Sequence, residues 1–111
     1  MTQGDTGWIF ELREYRLRSD AAQAYLRRFA DWVVPRLRDC GFAIQDAWVA
    51  DAVEPGVTSF VWLLRWHDRE ERDRAFARLA ATDGWGNYKS DVSSMVIEAR
   101  SRIMSRVVLD P

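Results

Sequence analysis

The chain contains 111 residues, of which 48% are hydrophobic and 30% charged, and 16 basic against 17 acidic residues leave a net charge of −1. This composition predicts one globular domain, and the balanced charge argues against nucleic acid or an anionic membrane as a partner. One cysteine and one histidine allow no intrachain disulfide and argue against a structural zinc site. No apolar run approaches the ~20 residues of a membrane span, so we expect a cytoplasmic protein.

The first predicted element is a β-strand. Residues 8–17, with the sequence WIFELREYRL, are rich in aromatic and aliphatic residues and contain neither Gly nor Pro. We expect the preceding residues 1–7 to be disordered and residues 8–108 to form the domain. Alternate residues of a strand share a face, which places a row of polar side chains on one side of this strand.

An amphipathic helix follows, with Ser19 as its predicted N-cap and Gly41 as its C-terminal signal. Pro35 lies inside the helical pattern, where it lacks an N–H and clashes with the preceding turn, so we expect a kink or break near residues 31–35. The apolar residues that recur at intervals of three or four along this helix are Ala22, Leu26, Phe29, Val33 and Leu37.

The next two predicted elements form a β-hairpin. Residues 42–51 and 58–66 have strand-like sequences, and the Pro55–Gly56 pair between them is a turn signal. Strands joined by so short a connection pair in an antiparallel manner, so we expect these two to be neighbours in one sheet.

A second helix is predicted after Asp68, because Glu71 three residues later completes a variant of the capping box. Residues 85–94 are expected to form a polar connection or a short helical turn, and residues 94–108 have the β-branched, alternating pattern of a last strand. The order β-α-β-β-α-β predicts an α+β, ferredoxin-like fold, in which two helices cover one face of a four-stranded antiparallel sheet. The open face favours pairing with a second copy.

Several segments, in their order along the chain, carry a family resemblance. They are ELREYRL at residues 11–17, Pro35, Gly41, Trp48, FVWLLRWHDREER at residues 60–72, WGNY at residues 85–88 and RSRIM at residues 100–104. Together they resemble the NIPSNAP family of dimeric α/β-barrel proteins over roughly residues 8–106. The resemblance implies a homodimer whose two sheets pack face to face into a barrel, often with a small-molecule cavity in each protomer.

The polar row of the first strand, Glu11, Arg13 and Tyr15, is the first candidate site. Phe10 and Leu12 on the other side suit helix packing, so we expect the row to face the barrel interior. A carboxylate, a guanidinium and a phenol there would suit proton transfer or the binding of an enol, phenol or carboxylate. The basic last strand suits either recognition of an anionic substrate group or a structural ion-pair ladder with this row. Its charged residues are Glu98, Arg100, Arg102 and Arg106.

An aromatic set is the second candidate site. Val61 and Leu63 of the third strand suit packing under the helices, which turns the alternate residues of that strand toward the barrel or the dimer seam. Such a set would bind a flat apolar or aromatic ligand by stacking, or would form a dimer interface. Its predicted members are Trp62, Leu64 and Trp66, joined from the neighbouring strand by Asp46 and Trp48.

Three further side chains are candidates for site roles. His67 is the only imidazole and suits proton transfer, but its place just before a helix favours contact with the cap or with solvent. Trp85 and Tyr88 follow the second helix, where related barrels carry a segment over the cavity mouth, so we expect a lid or a packing role. Cys40 is expected to be a buried, unreactive thiol.

The chain contains no glycine-rich phosphate loop, no GxSxG motif and no metal-ligand spacing. Related dimeric barrels include cofactor-free oxygenases of polyketide pathways, lactone isomerases and haem-degrading oxygenases. The resemblance therefore implies an enzyme that acts without cofactor or metal on an aromatic or polyketide-like molecule, by oxygenation, isomerisation or cyclisation. The alternatives are a non-catalytic ligand-binding or structural homodimer, and a haem protein with His67 as its imidazole ligand.

Overall fold

Four strands and four α-helices make up residues 7–110, the part of the chain that the computed structural model describes. The strands are β1 Ile9–Arg18, β2 Ala43–Ala50, β3 Val57–Trp66 and β4 Val96–Ser105, and the helices are α1 Ser19–Arg28, α2 Val34–Asp39, α3 Arg69–Ala80 and α4 Trp85–Val92. The strands form one antiparallel sheet in the order β2-β3-β1-β4. This confirms the predicted ferredoxin-like fold.

Two further predictions concern the N-terminal segment and the absence of a membrane span. Residues 1–6 of the segment predicted to be disordered lie outside the described residues. Among the helices of residues 7–110, none is both long enough and apolar enough to cross a membrane.

The predicted long first helix is divided by a π-helical turn. The helical path of α1 continues through Phe29–Val33 into α2, and Pro35 stands in the first turn of α2. A proline cannot donate to the carbonyl one turn earlier, so the helix widens just before it. The kink or break predicted near residues 31–35 takes the form of this π-helical turn, and the helical path is not interrupted. Ser19 is wrong as an N-cap, because the helix begins at Ser19 itself and its hydroxyl lies 2.8 Å from that of Thr58.

Helix α3 begins at the predicted cap. The carboxylate of Asp68 accepts a hydrogen bond from the backbone N–H of Glu71 at 2.8 Å. The carboxylate of Glu71 in turn accepts from the backbone N–H of His67 at 2.6 Å, one residue before the usual partner of a capping box. The region predicted as a connection or short helical turn is α4, followed by the 3₁₀ turn Ser93–Met95.

The helices cover the sheet face that carries Glu11, Arg13 and Tyr15. Opposite these residues in β3 stand Leu64, Trp62 and Phe60, all of them buried. The predicted orientation of the strands is therefore wrong, because Phe10 and Leu12 lie on the other face. Both faces of the central strands carry apolar residues, and the face with the larger aromatic rings buries more area against the helices.

The opposite face of the sheet is left uncovered by the described residues. Val61 and Leu63, predicted to lie under the helices, are on this face, as is Trp48, which is 48% exposed. The β4 residues pair here as Arg102 with Leu12, Arg100 with Glu14 and Glu98 with Arg16. Cross-strand partners share a face, so the predicted ladder from β4 to Glu11 and Arg13 does not form.

Candidate ligand-binding site

A cavity of about 300 Å³ lies between the helices and the covered face of the sheet. This volume is at the lower end of the roughly 300–1,000 Å³ that is typical of small-molecule sites. The apolar walls include Phe29, Leu37, Trp62, Phe76, Trp85 and Val92. The polar lining consists of Arg13, Tyr15, Tyr25, Tyr88, Lys89 and Ser93.

Arg13 on β1 is the most constrained polar side chain of this lining. Its Nη1 donates to Glu11 Oε2 at 2.7 Å, and its Nε donates to the hydroxyl of Tyr15 at 3.2 Å. The guanidinium lies 5.6 Å from the ring centre of Trp62 and 5.4 Å from that of Phe76. Such cation–π contacts stabilise a charged group that is only 19% exposed. No residue in the described range accepts a hydrogen bond from Nη2.

Glu11 anchors Arg13 from behind the cavity wall. Its side chain is 0% exposed and accepts four hydrogen bonds: one from Arg13, two from Arg72 at 2.8 and 3.0 Å, and one from the indole N–H of Trp66 at 3.0 Å. Burial alone would raise the pKa of Glu11, but the hydrogen bonds from Arg72 and Trp66 and the charge of Arg13 outweigh it and lower the pKa. A carboxylate has about four acceptor positions, so the geometry favours a fixed anion over a proton carrier.

Two phenols face the same cavity from the helices. Tyr25 on α1 is 3% exposed, and burial together with the neighbouring Tyr88 raises the pKa of its hydroxyl. Burial likewise raises the pKa of Tyr88 on α4. Both hydroxyls therefore stay protonated at neutral pH. They are hydrogen-bonded to each other, so one of the two O–H groups is left to donate to a ligand.

A stack of three aromatic rings holds α4 against the π turn. The ring of Trp32 lies parallel to that of Trp85, with centres 6.2 Å apart, and 5.1 Å from that of Tyr88. The guanidinium of Arg36 lies over the ring of Trp32, 3.9 Å from its centre. Trp85 and Tyr88 also line the cavity, so these two rings form part of its wall. The stack agrees with the predicted packing role, and the lid role stays a prediction.

The structure separates these predicted site residues into three groups. Arg13, Tyr15, Trp62, Trp85 and Tyr88 line the cavity. Glu11, Leu64 and Trp66 are buried on the same sheet face but outside the lining. Asp46, Trp48 and Arg102 lie on the open face.

His67 and Cys40 lie outside the cavity lining, in the cap and buried-thiol positions that the sequence favours. The ring of His67 lies 4.1 Å from that of Trp8, and its Nδ1 is 3.2 Å from the carboxylate of Glu71 at the start of α3. Cys40 is 7% exposed, with its Sγ 3.5 Å from the hydroxyl of Thr82. Within residues 7–110, no three His, Cys, Asp or Glu side chains cluster as metal ligands would.

Two residues of this region, Tyr25 and Arg72, are not among the site residues predicted from the sequence. Tyr25 stands between Ala22 and Phe29 on the buried stripe of α1, so its spacing was a usable signal. Arg72 lies in the charged run of α3, which predicts a solvated helix face, yet it shares a stripe with Phe76. An arginine on the apolar side of a helix implies a buried acidic partner. Only the docking of α3 on the sheet identifies that partner as Glu11.

Comparisons with known proteins agree with this architecture. A family model described as NIPSNAP matches residues 10–109, and no curated protein matches the chain. An uncharacterized NIPSNAP-like domain protein from Burkholderia xenovorans has a similar structure, with a TM-score of 0.80 and 21% identity over 96% of this chain and 90% of that one. A NIPSNAP family protein of unknown function from Agrobacterium tumefaciens gives 0.80 and 20%, over 94% and 92%.

A more distant structural relative carries a biochemical name. It is a protein from Nitrosomonas europaea designated “Putative antibiotic biosynthesis monooxygenase”, with a TM-score of 0.60 and 9% identity over 96% of both chains. At this identity the likeness concerns the fold alone. The family model, by contrast, spans almost the whole described chain, and the protein belongs to the NIPSNAP family.

Proposed function

We propose that the protein binds a small, flat, largely apolar molecule in the cavity and acts on it without a metal or nucleotide. The observation that carries this proposal is an aromatic-walled space into which one guanidinium and two protonated phenols converge. Oxygenation, isomerisation or cyclisation of an aromatic or polyketide-like substrate is the reaction class that we infer. The name of the Nitrosomonas protein supports that class only by likeness of fold.

The proposed chemistry depends on an oxygen of the substrate that gains negative charge. Arg13 would stabilise an enolate or phenolate oxygen, and the hydrogen-bonded pair of Tyr25 and Tyr88 would donate one further hydrogen bond. The proton that leaves the substrate would pass to water or a buffer base. The rings of Trp62 and Phe76 would hold the flat part of the molecule by contact area. Between the apolar walls of the cavity these interactions are stronger than at the surface.

Enolisation of a model ketone tests this proposal without knowledge of the natural substrate. 2-Tetralone, a bicyclic ketone, is incubated with the protein in deuterated water, and exchange of its α-hydrogens is followed by NMR. We expect the protein to accelerate exchange and Arg13→Met to remove at least about tenfold of that acceleration, because one positioned donor to an oxyanion contributes on this scale. Arg100→Met on the open face is the matched control. Binding without exchange would support the non-catalytic alternative, and absence of both would reject the proposal.

We further propose a homodimer formed through the open face of the sheet. Trp48 is half exposed there beside the apolar Leu12, Val61 and Leu63, and large apolar patches usually mark contact sites. Sedimentation velocity should give a dimer, and Trp48→Glu should give a monomer because it places a charge in the seam. A wild-type monomer at micromolar concentration would contradict the dimer. The cavity lies on the other face, so its ligand binding should survive that change.

The haem alternative receives no support from the cavity. None of its lining residues is a histidine, cysteine or methionine, and His67 stands at the start of α3 with its side chain 67% exposed. Tyrosine can also ligate haem iron as a phenolate, but burial raises the pKa of the Tyr25 and Tyr88 hydroxyls and disfavours that form. We therefore expect a haem titration to produce no Soret band from axial ligation.

A further inference from the structure

We propose that the natural ligand is an organic acid whose anionic oxygen is bound by Arg13. The inference rests on the proposed cavity function and names the substrate class of that site. Arg13 would then determine specificity, because it would favour an aromatic acid over a neutral molecule of the same shape.

The charge distribution of the cavity is the first argument. Only two charged side chains, Arg13 and Lys89, line it in the described part of the chain, and both are cationic. The carboxylate of Glu11 lies outside the lining and is shared between the guanidinium groups of Arg13 and Arg72. Arg72 has a second acidic partner in Asp73 at 3.6 Å, whereas Glu11 is the only carboxylate that pairs with Arg13 among the described residues. An anion in the cavity would supply Arg13 with a second negative partner.

The donor geometry of Arg13 is the second argument. A guanidinium has five N–H groups, and two of those of Arg13 are used by Glu11 and Tyr15. Three remain without a partner among the described residues, on a side chain that lines the cavity. These contacts also fix the orientation of the group before a ligand arrives. A fixed guanidinium loses little entropy when it binds a carboxylate, which it matches in shape.

The other polar groups of the lining are consistent with an acceptor-rich ligand. Tyr25 and Tyr88 keep their protons because burial raises the pKa of both hydroxyls. The indole N–H of Trp62, in the wall beside Arg13, has no hydrogen-bond partner in the described range. This wall therefore contains donors in excess, a composition that favours oxygen anions over amines.

Matched pairs of acid and amide test the inference. Benzoate and benzamide, 2-naphthoate and 2-naphthamide, and indole-3-acetate and indole-3-acetamide are titrated by calorimetry at neutral pH. We expect the best acid to bind at least about tenfold more tightly than its amide, since a charge-assisted contact contributes on this scale. This comparison uses the wild-type protein and needs no variant.

Substitution of Arg13 assigns the preference to one side chain. Arg13→Met should remove the acid preference while amide binding persists, and Arg100→Met on the open face should leave the preference unchanged. Equal binding of acid and amide by the wild-type protein, or a preference that survives Arg13→Met, would overturn the inference and leave the proposed cavity function intact. If no compound of either kind binds, the proposed function fails as well.

Discussion

Charged residues of the same kinds have different surroundings on the two faces of the sheet. On the covered face Glu11 is fully buried and held by hydrogen bonds from Arg13, Arg72 and Trp66. On the open face Arg16 pairs with Glu98 at 3.2 Å, where both side chains are accessible to water. Exposed pairs contribute about 0–1 kcal/mol, whereas breaking a buried pair leaves an uncompensated charge. Within ELREYRL, burial rather than residue type therefore decides whether a charged residue stabilises the fold, as Glu11 does, or remains a surface charge, as Arg16 does.

Removal of the buried carboxylate should have the largest effect on stability. Glu11→Ala leaves the guanidinium groups of Arg13 and Arg72 facing each other without their shared anion, so we expect the free energy of unfolding to fall by about 3–5 kcal/mol. Urea denaturation measures it. The matched control is Glu14→Ala, three residues along the same strand on the open face, with an expected loss below about 1 kcal/mol. Equal losses in the two variants would contradict the contrast between the faces.

Removal of Arg72, one of the two arginines that bind Glu11, should have an intermediate effect on stability. Arg72→Met removes two hydrogen bonds to Glu11, and we expect a loss of about 2 kcal/mol in the free energy of unfolding. Arg74→Met, two residues along α3 at an exposed position, is the control and should unfold as the wild type does. If Arg72→Met were as stable as this control, the pairing with Glu11 would contribute nothing.

The stability contributed by Glu11 should also depend on pH. Its pKa is lower in the folded chain than its ordinary value of 4.5, so the contribution is fully present above about pH 4.5 and is lost as the pH falls through the folded pKa. The difference in unfolding free energy between the wild type and Glu11→Gln should be constant from pH 7 to about pH 5 and shrink in more acidic buffer. A difference that did not change with pH would show that the carboxyl is not held as an anion.

Local signals in the sequence were sufficient for the four strands, the two predicted helices and their order, although α4 was predicted only as a polar connection or a short helical turn. Pro35 predicts a break because its missing N–H acts within one turn, and the Asp68 cap depends on a backbone N–H three residues away. The alternation in ELREYRL likewise places Glu11, Arg13 and Tyr15 on one face. Each of these inferences needs only neighbours along the chain.

The covered face could not be predicted in this way. Period-two alternation states which residues share a face but not which face the helices cover, and both faces of β1 and β3 carry apolar residues. The site also depends on the register that brings Arg13 opposite Trp62, and on the docking of α3 that brings Arg72 to Glu11. Both contacts join residues distant in sequence, so no local pattern predicts them.

The measurement that tests the cavity most directly is ligand binding to a protein whose cavity has been filled. Ala99 lines the cavity from β4, and the next residue, Arg100, pairs on the open face. Ala99→Phe and Arg100→Phe therefore place the same ring on opposite faces of one strand. We expect calorimetric titration with 2-naphthoate to show at least about tenfold weaker binding for Ala99→Phe, and wild-type binding for Arg100→Phe. Unchanged binding by a folded Ala99→Phe protein would contradict the assignment of this cavity as the ligand site.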